Sequence, residues 1–343
     1  MFSRFAIVYG VLAGVFRVRV VPLFLVWFYL SLRVAVWFWM LVDRVVFPRL
    51  GGTEVKRPII IVGNPRTGTT FLHRWLVDNR FGVGLQLYRS LYPSIVMQKV
   101  LRPLLPVLEK FSPARFHNSA AHDTNLSSTE TDDVTVFFRY FDGFFLYGFF
   151  LAWAEEDHVP LIDPEKRDTT GRDFDWLEAV WKRSLVAQGG SRVVAKLFST
   201  GPRVPAFLAR FPDAHILYMV RDPGDVIPST YSLVTGVLDK AFGYWSLPEA
   251  TRARFNERFY QALVMLFKRF HADWESGRID RKRVMVVSYD RMMRDFEGLM
   301  DEMIPFFDMD PSPEQRAAIK ATAEAQRAYT SSHKYNLEKY GLS

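Results

Sequence analysis

The segment Gly63-Asn64-Pro65-Arg66-Thr67-Gly68-Thr69-Thr70 has the residue types and spacing to hold an anion. Small residues let consecutive backbone N–H groups turn toward one point, threonine hydroxyls add donors, and Arg66 places a positive charge inside the loop. The segment follows the β-branched run Ile59 to Val62 and precedes a helix-like pattern, Phe71, Leu72, Trp75 and Leu76. The loop therefore joins a strand to a helix N-terminus, where the peptide dipoles favour negative charge. Against the pattern G-x-x-x-x-G-K-[ST], both glycines are in place but Thr69 occupies the lysine position. A nucleoside triphosphatase needs that lysine, so the loop suits one phosphate and a neighbouring anionic group better.

A second constellation lies downstream. The apolar run Ile216 to Val220 delivers Arg221, and Ser229 follows eight residues later, about one and a half turns into a helix expected from Gly224. An arginine at a strand end and a hydroxyl on the next helix can converge on one phosphate. Between the two motifs, Val194-Ala195-Lys196-Leu197 puts Lys196 at the C-terminal end of a strand, where open α/β sheets bind ligands.

These residues resemble the sulfotransferase superfamily. Its phosphosulfate loop, [PR]-[KR]-[ST]-G-[ST]-[ST], corresponds to Pro65 to Thr70, and its R-D-P-x-D-x-x-x-S motif to Arg221 to Ser229, preceded by the matching Phe211-Pro212-Asp213-Ala214. The arginine form of the loop looks like the carbohydrate and tyrosylprotein branches and many bacterial members. The resemblance implies 3′-phosphoadenosine 5′-phosphosulfate (PAPS) as donor. Pro65, Arg66, Thr67, Gly68, Thr69 and Thr70 would then hold the 5′-phosphosulfate, and Arg221 and Ser229 the 3′-phosphate. Lys196 would hold the sulfuryl or bridging oxygen, although Leu197-Phe198-Ser199 departs from the family's L-K-[ST]-P pattern. Val287-Ser288-Tyr289-Asp290 resembles the V-x-Y-E-D-L strand end, bringing Tyr289 toward the nucleotide. The tail Ser332 to Leu342 is similar to the H-x-Y-x-L-E-x-F-G-L ending of bacterial members, with Lys334 either on the 3′-phosphate or in a packing or solvated role. The implied reaction is in-line transfer of a sulfuryl group to a hydroxyl or amine.

A hydroxyl acceptor needs a base. The acidic stretch His122 to Asp133 resembles the P-E-E-D-E region of related bacterial enzymes, but it lacks their proline and carries Thr131 among the acids. Glu130 is the first candidate, His122 the second and Asp133 the third. Ser127-Ser128-Thr129 followed by acids equally reads as a helix start, with Glu130 serving the cap.

Positioning these groups requires strands that alternate with helices. Val193 to Phe198, Ile216 to Val220 and Val284 to Val287 repeat the apolar strand signature, and helix-like stretches cover Arg203 to Arg210, Asp225 to Leu233 and Met292 to Phe307. The expected class is α/β, a P-loop-like parallel sheet flanked by helices, over residues 57–343. Aromatic-rich Val136 to Trp153 reads as core or as the lining of an apolar acceptor pocket.

Residues 1–50 form a hydrophobic, membrane-associating segment. Val20 to Val42 is long enough to cross a bilayer, with Arg33 its one charge and Pro22 near its start. On an ideal helix Arg19, Arg33 and Arg44 fall within an arc of roughly 40°, which favours a helix lying in the membrane surface over one that spans it. A hydrophobic hairpin packed on the protein's own core or on a second subunit is the third reading. The net charge is +7, and residues 1–57 hold eight cations against Asp43 and Glu54, so the rest of the chain is nearly neutral and a nucleic-acid partner is disfavoured. The chain has no cysteine, which excludes disulfides and thiolate sites and favours the cytoplasmic face of a membrane. No histidine spacing fits a metal site, and a homo-oligomer stays open. The competing functions are a P-loop nucleotide kinase and a non-catalytic membrane-bound nucleotide-binding scaffold. The acceptor expected from the front segment is a small molecule or a lipid.

Overall fold

The computed structural model describes residues 1–111 and 124–327. In chain order its elements begin with helices α1 (Phe2–Gly14) and α2 (Val21–Val46), strand β1 (Ile59–Gly63) and α3 (Thr69–Asp78). Next come α4 (Leu87–Leu91), α5 (Ile95–Leu101), α6 (Leu105–Phe111), α7 (Asp133–Tyr140), α8 (Phe144–Phe149), α9 (Thr170–Gln188), β2 (Val194–Lys196) and α10 (Val204–Arg210). The last are β3 (His215–Val220), α11 (Pro223–Phe242), α12 (Glu249–Glu275), β4 (Val284–Ser288), α13 (Tyr289–Arg294), α14 (Phe296–Phe306) and α15 (Pro313–Arg327). They form two compact units: Met1–Glu54, Leu85–Gly189 and Tyr231–Met265 in the first, and Val55–Gly84, Gly190–Thr230 and the described residues from Leu266 onward in the second.

The second unit holds the sheet. Every residue of β1 is buried, with no polar alternation, as a strand covered on both faces requires. The strand order is β2-β1-β3-β4 and all neighbours pair in parallel. One face, carrying Ile59, Ile61, Leu217, Met219 and Val287, packs with Leu72 and Leu76 of α3 and with Met300 and Met303 of α14. On another part of the sheet the Tyr218 ring stacks on Phe270. From β1 the chain moves to β2 on one side and later to β3 on the other, so the order reverses between β1 and β3. Loops leaving the carboxyl ends of two such strands diverge and open a crevice, the usual ligand site of an open α/β sheet.

Two expected elements come out shorter. The strand signature Val193 to Phe198 yields only Val194–Lys196, because a 3-10 turn takes over at Phe198–Arg203. The expected helix Met292 to Phe307 is two helices: Asp295 leaves helical geometry and its carboxylate accepts from Gly298 N at 3.1 Å, capping α14.

The first unit is helical. Of the aromatic-rich stretch, Leu146, Tyr147, Leu151 and Trp153 are fully or almost fully buried, and Trp153 stacks on Phe255 with centroids 4.1 Å apart. That part is core. The carboxylate of Asp142 is shared by Arg4, Arg167 and Arg172, which ties α1 to the segments after α7. The three-arginine stripe does not form. Arg19 lies between α1 and α2, and Arg33 is half-buried beside the Tyr29 ring, leaving Arg44 exposed. Pro22, at the first turn of α2, starts that helix and breaks the phase the stripe would need.

Candidate active site

The β1–α3 loop is built around two positions that only glycine fills. Gly63 has φ +145°, and a Cβ there would sit 2.6 Å from the Met219 carbonyl oxygen. Gly68 has φ +87°, and its Cβ would meet Tyr289 and Met292 at 2.7 Å. Between them Arg66 also takes a left-handed conformation, φ 71°, which a non-glycine residue holds only when its surroundings fix it. The surroundings do so. Arg66 Nε donates to Ser229 Oγ at 2.8 Å, Arg221 Nη1 donates to the Arg66 carbonyl at 3.4 Å, and Thr230 Oγ1 donates to the Pro65 carbonyl at 3.4 Å. Within the loop Thr67 Oγ1 donates to the Asn64 carbonyl at 2.7 Å.

The parallel register explains why these groups meet. Gly63 sits opposite Met219 and Val220 opposite Ser288, so the loops after β1, β3 and β4 emerge at one edge of the sheet. Arg221 follows β3 directly, and its guanidinium lies 4.3 Å from the centre of the Tyr289 ring. Asp225, in the first turn of α11, accepts from Arg221 Nη2 at 3.0 Å. On the other side of β1, Lys196 ends β2, is 6% exposed, and donates to Thr70 Oγ1 at 2.9 Å. Thr69 and Thr70 open α3, whose first-turn N–H groups have no acceptor within the helix. The arrangement sets three cations, several hydroxyls and a helix N-terminus around one loop at the switch point, a chemistry suited to adjacent anionic groups.

Two residues here carried no functional signal in the sequence. Thr230 secures the loop carbonyl, although its neighbour Ser229 alone fits the motif. His73, on α3 beneath the loop, is completely buried; Nε2–H donates to the Val194 carbonyl at 3.0 Å, and among the described residues Nδ1 has no partner. Desolvation, reinforced by the Lys196 charge, holds its pKa down to about 3. A neutral imidazole is the only form the fold accepts at ordinary pH.

The candidate bases belong to the first unit or to undescribed segments. His122 and Lys334 lie outside the described residues. Glu130 is 8% exposed and precedes α7, which starts only at Asp133, so the helix begins later than the serines and threonine imply. Its carboxylate accepts from Ser128 Oγ at 3.4 Å, while Asp133 accepts from Thr131 Oγ1 at 2.8 Å and the buried Asp132 from Trp181 Nε1 at 2.7 Å.

Similarity to known proteins follows the same lines. The model of the sulfotransferase family matches residues 58–313. Two proteins named omega-hydroxy-beta-dihydromenaquinone-9 sulfotransferase Stf3, from Mycobacterium bovis and Mycobacterium tuberculosis, are each 26% identical over 269 residues, 75% of this chain and 64% of their own length. The match thus spans less than two thirds of those relatives. In three dimensions the crystal structure of sulfotransferase STF1 from Mycobacterium tuberculosis superposes with a TM-score of 0.73 at 18% identity, covering 100% of this chain and 89% of that one. Sulfotransferase STF9 from Mycobacterium avium gives 0.68 at 18% identity over 89% of this chain and 77% of its own. These two likenesses concern the fold. With the family match running from β1 to the start of α15, across the β1–α3 loop, Lys196, Arg221 and Tyr289, the chain belongs to the sulfotransferase family.

Proposed function

We propose that this protein is a sulfotransferase that takes the sulfuryl group from PAPS and transfers it to a hydroxyl or amine of an amphiphilic, lipid-like acceptor at the cytoplasmic face of a membrane. The observation that carries the reading is the coupling of Arg66 to Ser229, and of Arg221 to the Arg66 carbonyl, at the strand switch point. The loop around Gly68 has no room for a side chain and its donors are cationic or hydroxylic, so the residues fit a doubly anionic nucleotide. In this reading Pro65 to Thr70 hold the 5′-phosphosulfate, Arg221 and Ser229 the 3′-phosphate, and Tyr289 supports the Arg221 guanidinium from below. Lys334 stays a candidate for the same phosphate.

The bound donor supplies an activated sulfuryl group whose departure leaves negative charge on the oxygen that bridged sulfur to phosphorus. Arg66 and Lys196 are charges already in place, held by Ser229 and Thr70, so stabilising that oxygen needs little reorganisation. Glu130 takes the proton from the acceptor, ahead of His122 and of Asp133, whose carboxylate already accepts from Thr131.

Support for a lipid-like acceptor comes from α2 and from the Stf3 relatives, which are named for a hydroxylated dihydromenaquinone. Helix α2 has 26 residues and a mean hydropathy of 1.8 over its most apolar stretch, only 11% of it buried. Leu23, Phe24, Trp27, Phe28, Val34, Trp37 and Phe38 all face outward. Its opposite seam is anchored, with Val36 buried and Asp43 wholly enclosed. A spanning helix would strip Asp43 of its partners, whereas a helix lying in the interface keeps them.

The test is to incubate the full-length protein with labelled PAPS and a detergent-dispersed lipid extract. A labelled lipid is the expected product, and Glu130→Gln should bind adenosine 3′,5′-bisphosphate normally but form none. Bisphosphate binding without any labelled lipid from the intact enzyme would overturn the acceptor assignment; no bisphosphate binding would overturn the donor.

A further inference from the structure

Within the second unit, β2 carries Lys196 at the outer side of the sheet, where backbone pairing runs out. Toward β1 the strand is fully engaged: Ile59 N–H donates to the Val193 carbonyl and Leu197 N–H to the Ile61 carbonyl, each at 2.9 Å. On its outer side it makes one isolated bridge. There Val83 N–H donates to the Arg192 carbonyl at 2.8 Å, and Val194 N–H to the Val83 carbonyl at 3.0 Å. The next acceptor to point outward is the Val194 carbonyl, in a fully buried residue, where a lost donor would cost about 1–3 kcal/mol. His73 of α3 supplies that donor. Because a carbonyl only accepts, the imidazole proton sits on Nε2.

Helix α3 therefore grips β2 at two points. Thr70 and His73 are three residues apart and share a face of the helix. Their partners are two residues apart on the strand, since Thr70 Oγ1 accepts from Lys196 Nζ at 2.9 Å while His73 holds Val194. One contact holds the ammonium; the other holds the main chain that delivers it. The residue type at position 73 fits this task. Among the described residues the buried Nδ1 has no partner, an unmet acceptor that leucine or phenylalanine would not bring into the core. Lysine or arginine could also donate to the carbonyl, but each would add a full charge where the Lys196 charge is already felt. A neutral imidazole gives the donor without the charge.

We propose that His73 is a positioning residue for sulfuryl transfer: by holding the Val194 carbonyl it fixes the end of β2, and with it the place of the Lys196 ammonium. This role presupposes the function proposed above, in which Lys196 meets the sulfuryl or bridging oxygen. A charge stabilises a transition state best when it stands in place beforehand. Adenosine 3′,5′-bisphosphate has no sulfuryl group, so its binding depends little on where that ammonium stands.

The experiment is a double-mutant cycle on the full-length protein, reading transfer from labelled PAPS at saturation to the lipid extract and, separately, bisphosphate affinity by calorimetric titration. His73→Leu is expected to slow transfer by about tenfold to a hundredfold, the effect of misplacing a catalytic group by about 1 Å. Its bisphosphate affinity should stay within about threefold of the parent, as should the transfer rate of His73→Gln, whose amide can donate to the same carbonyl. Lys196→Met should slow transfer at least as much, and in that background His73→Leu should add little. Transfer by His73→Leu at the parent rate would overturn the role. So would a full further loss on top of Lys196→Met, which would make the two residues independent. Should His73→Leu fail to bind the bisphosphate, His73→Gln decides: transfer at the parent rate supports the role, whereas a tenfold fall with affinity intact, or loss of binding here too, overturns it. Parent-rate transfer by Lys196→Met would instead remove the lysine from the reaction, overturning the function proposed for it and the role of His73 together.

Discussion

Arg66 and Arg221 occupy backbone positions that the loop and strand create for them, and each depends on the other. Arg66 is held left-handed by Ser229 through its side chain and by Arg221 through its carbonyl. Arg221 is partly neutralised by Asp225, so an incoming phosphate shares the guanidinium with an exposed carboxylate. Arg221→Ala removes a charge-assisted contact to the proposed 3′-phosphate and should weaken adenosine 3′,5′-bisphosphate by about tenfold to a hundredfold in calorimetric titration. Unchanged affinity would remove that residue from the site. His73 makes a different kind of prediction. Its folded pKa, about 3, lies below the value of about 6.5 in the unfolded chain, so protons bind preferentially to the unfolded state as the pH drops. Stability should therefore decline from pH 6.5 toward pH 3, at roughly 1.4 kcal/mol per pH unit from this residue. His73→Gln, with an amide to donate to Val194, should show a flatter dependence in denaturant titrations between pH 7 and 4.5. Parallel curves for the two proteins would place the acid sensitivity elsewhere.

Among elements, α2 is the one whose sequence shows least of what holds it to the protein. Its composition is that of a membrane span, yet one buried carboxylate fastens it to the protein. Asp43 accepts from Ser94 Oγ, Ile95 N, Val96 N and Arg183 Nε, each at 3.0 Å. It thus supplies acceptors to the free N–H groups at the start of α5 and balances an arginine on α9 that burial would otherwise penalise. Removing one member of a buried pair leaves the other uncompensated, so Asp43→Ala should destabilise the protein by about 3–5 kcal/mol in equilibrium unfolding. Asp43→Asn should cost less, since the amide oxygen still accepts. A denaturation midpoint unmoved by either change would mean that α2 is not anchored through this residue.

For the whole molecule, the proposed membrane attachment through the apolar face of α2 can be tested apart from folding. Arg4 donates to the Tyr140 and Phe141 carbonyls and Phe5 stacks on Phe141, so cutting away the front segment would expose core. Substituting outward aromatics avoids this problem. Trp27→Ser/Phe28→Ser/Phe38→Ser should release the protein from neutral vesicles while its melting temperature shifts little, because all three side chains are more than half exposed. Retained sedimentation would refute the interfacial role of that face. Sequence by itself determined the parallel sheet, the β1–α3 loop and the Arg221 turn, because these depend on short-range patterns: a β-branched run, glycines at the loop's two ends, an arginine at a strand end. It also showed that the front segment is apolar, since composition needs no neighbours to be read. Only the tertiary structure decided what faces what. The burial of Asp43 and of His73 arises from partners 51 to 140 residues away. Such pairings leave no periodicity along the chain, so they appear only once the helices and strands have packed.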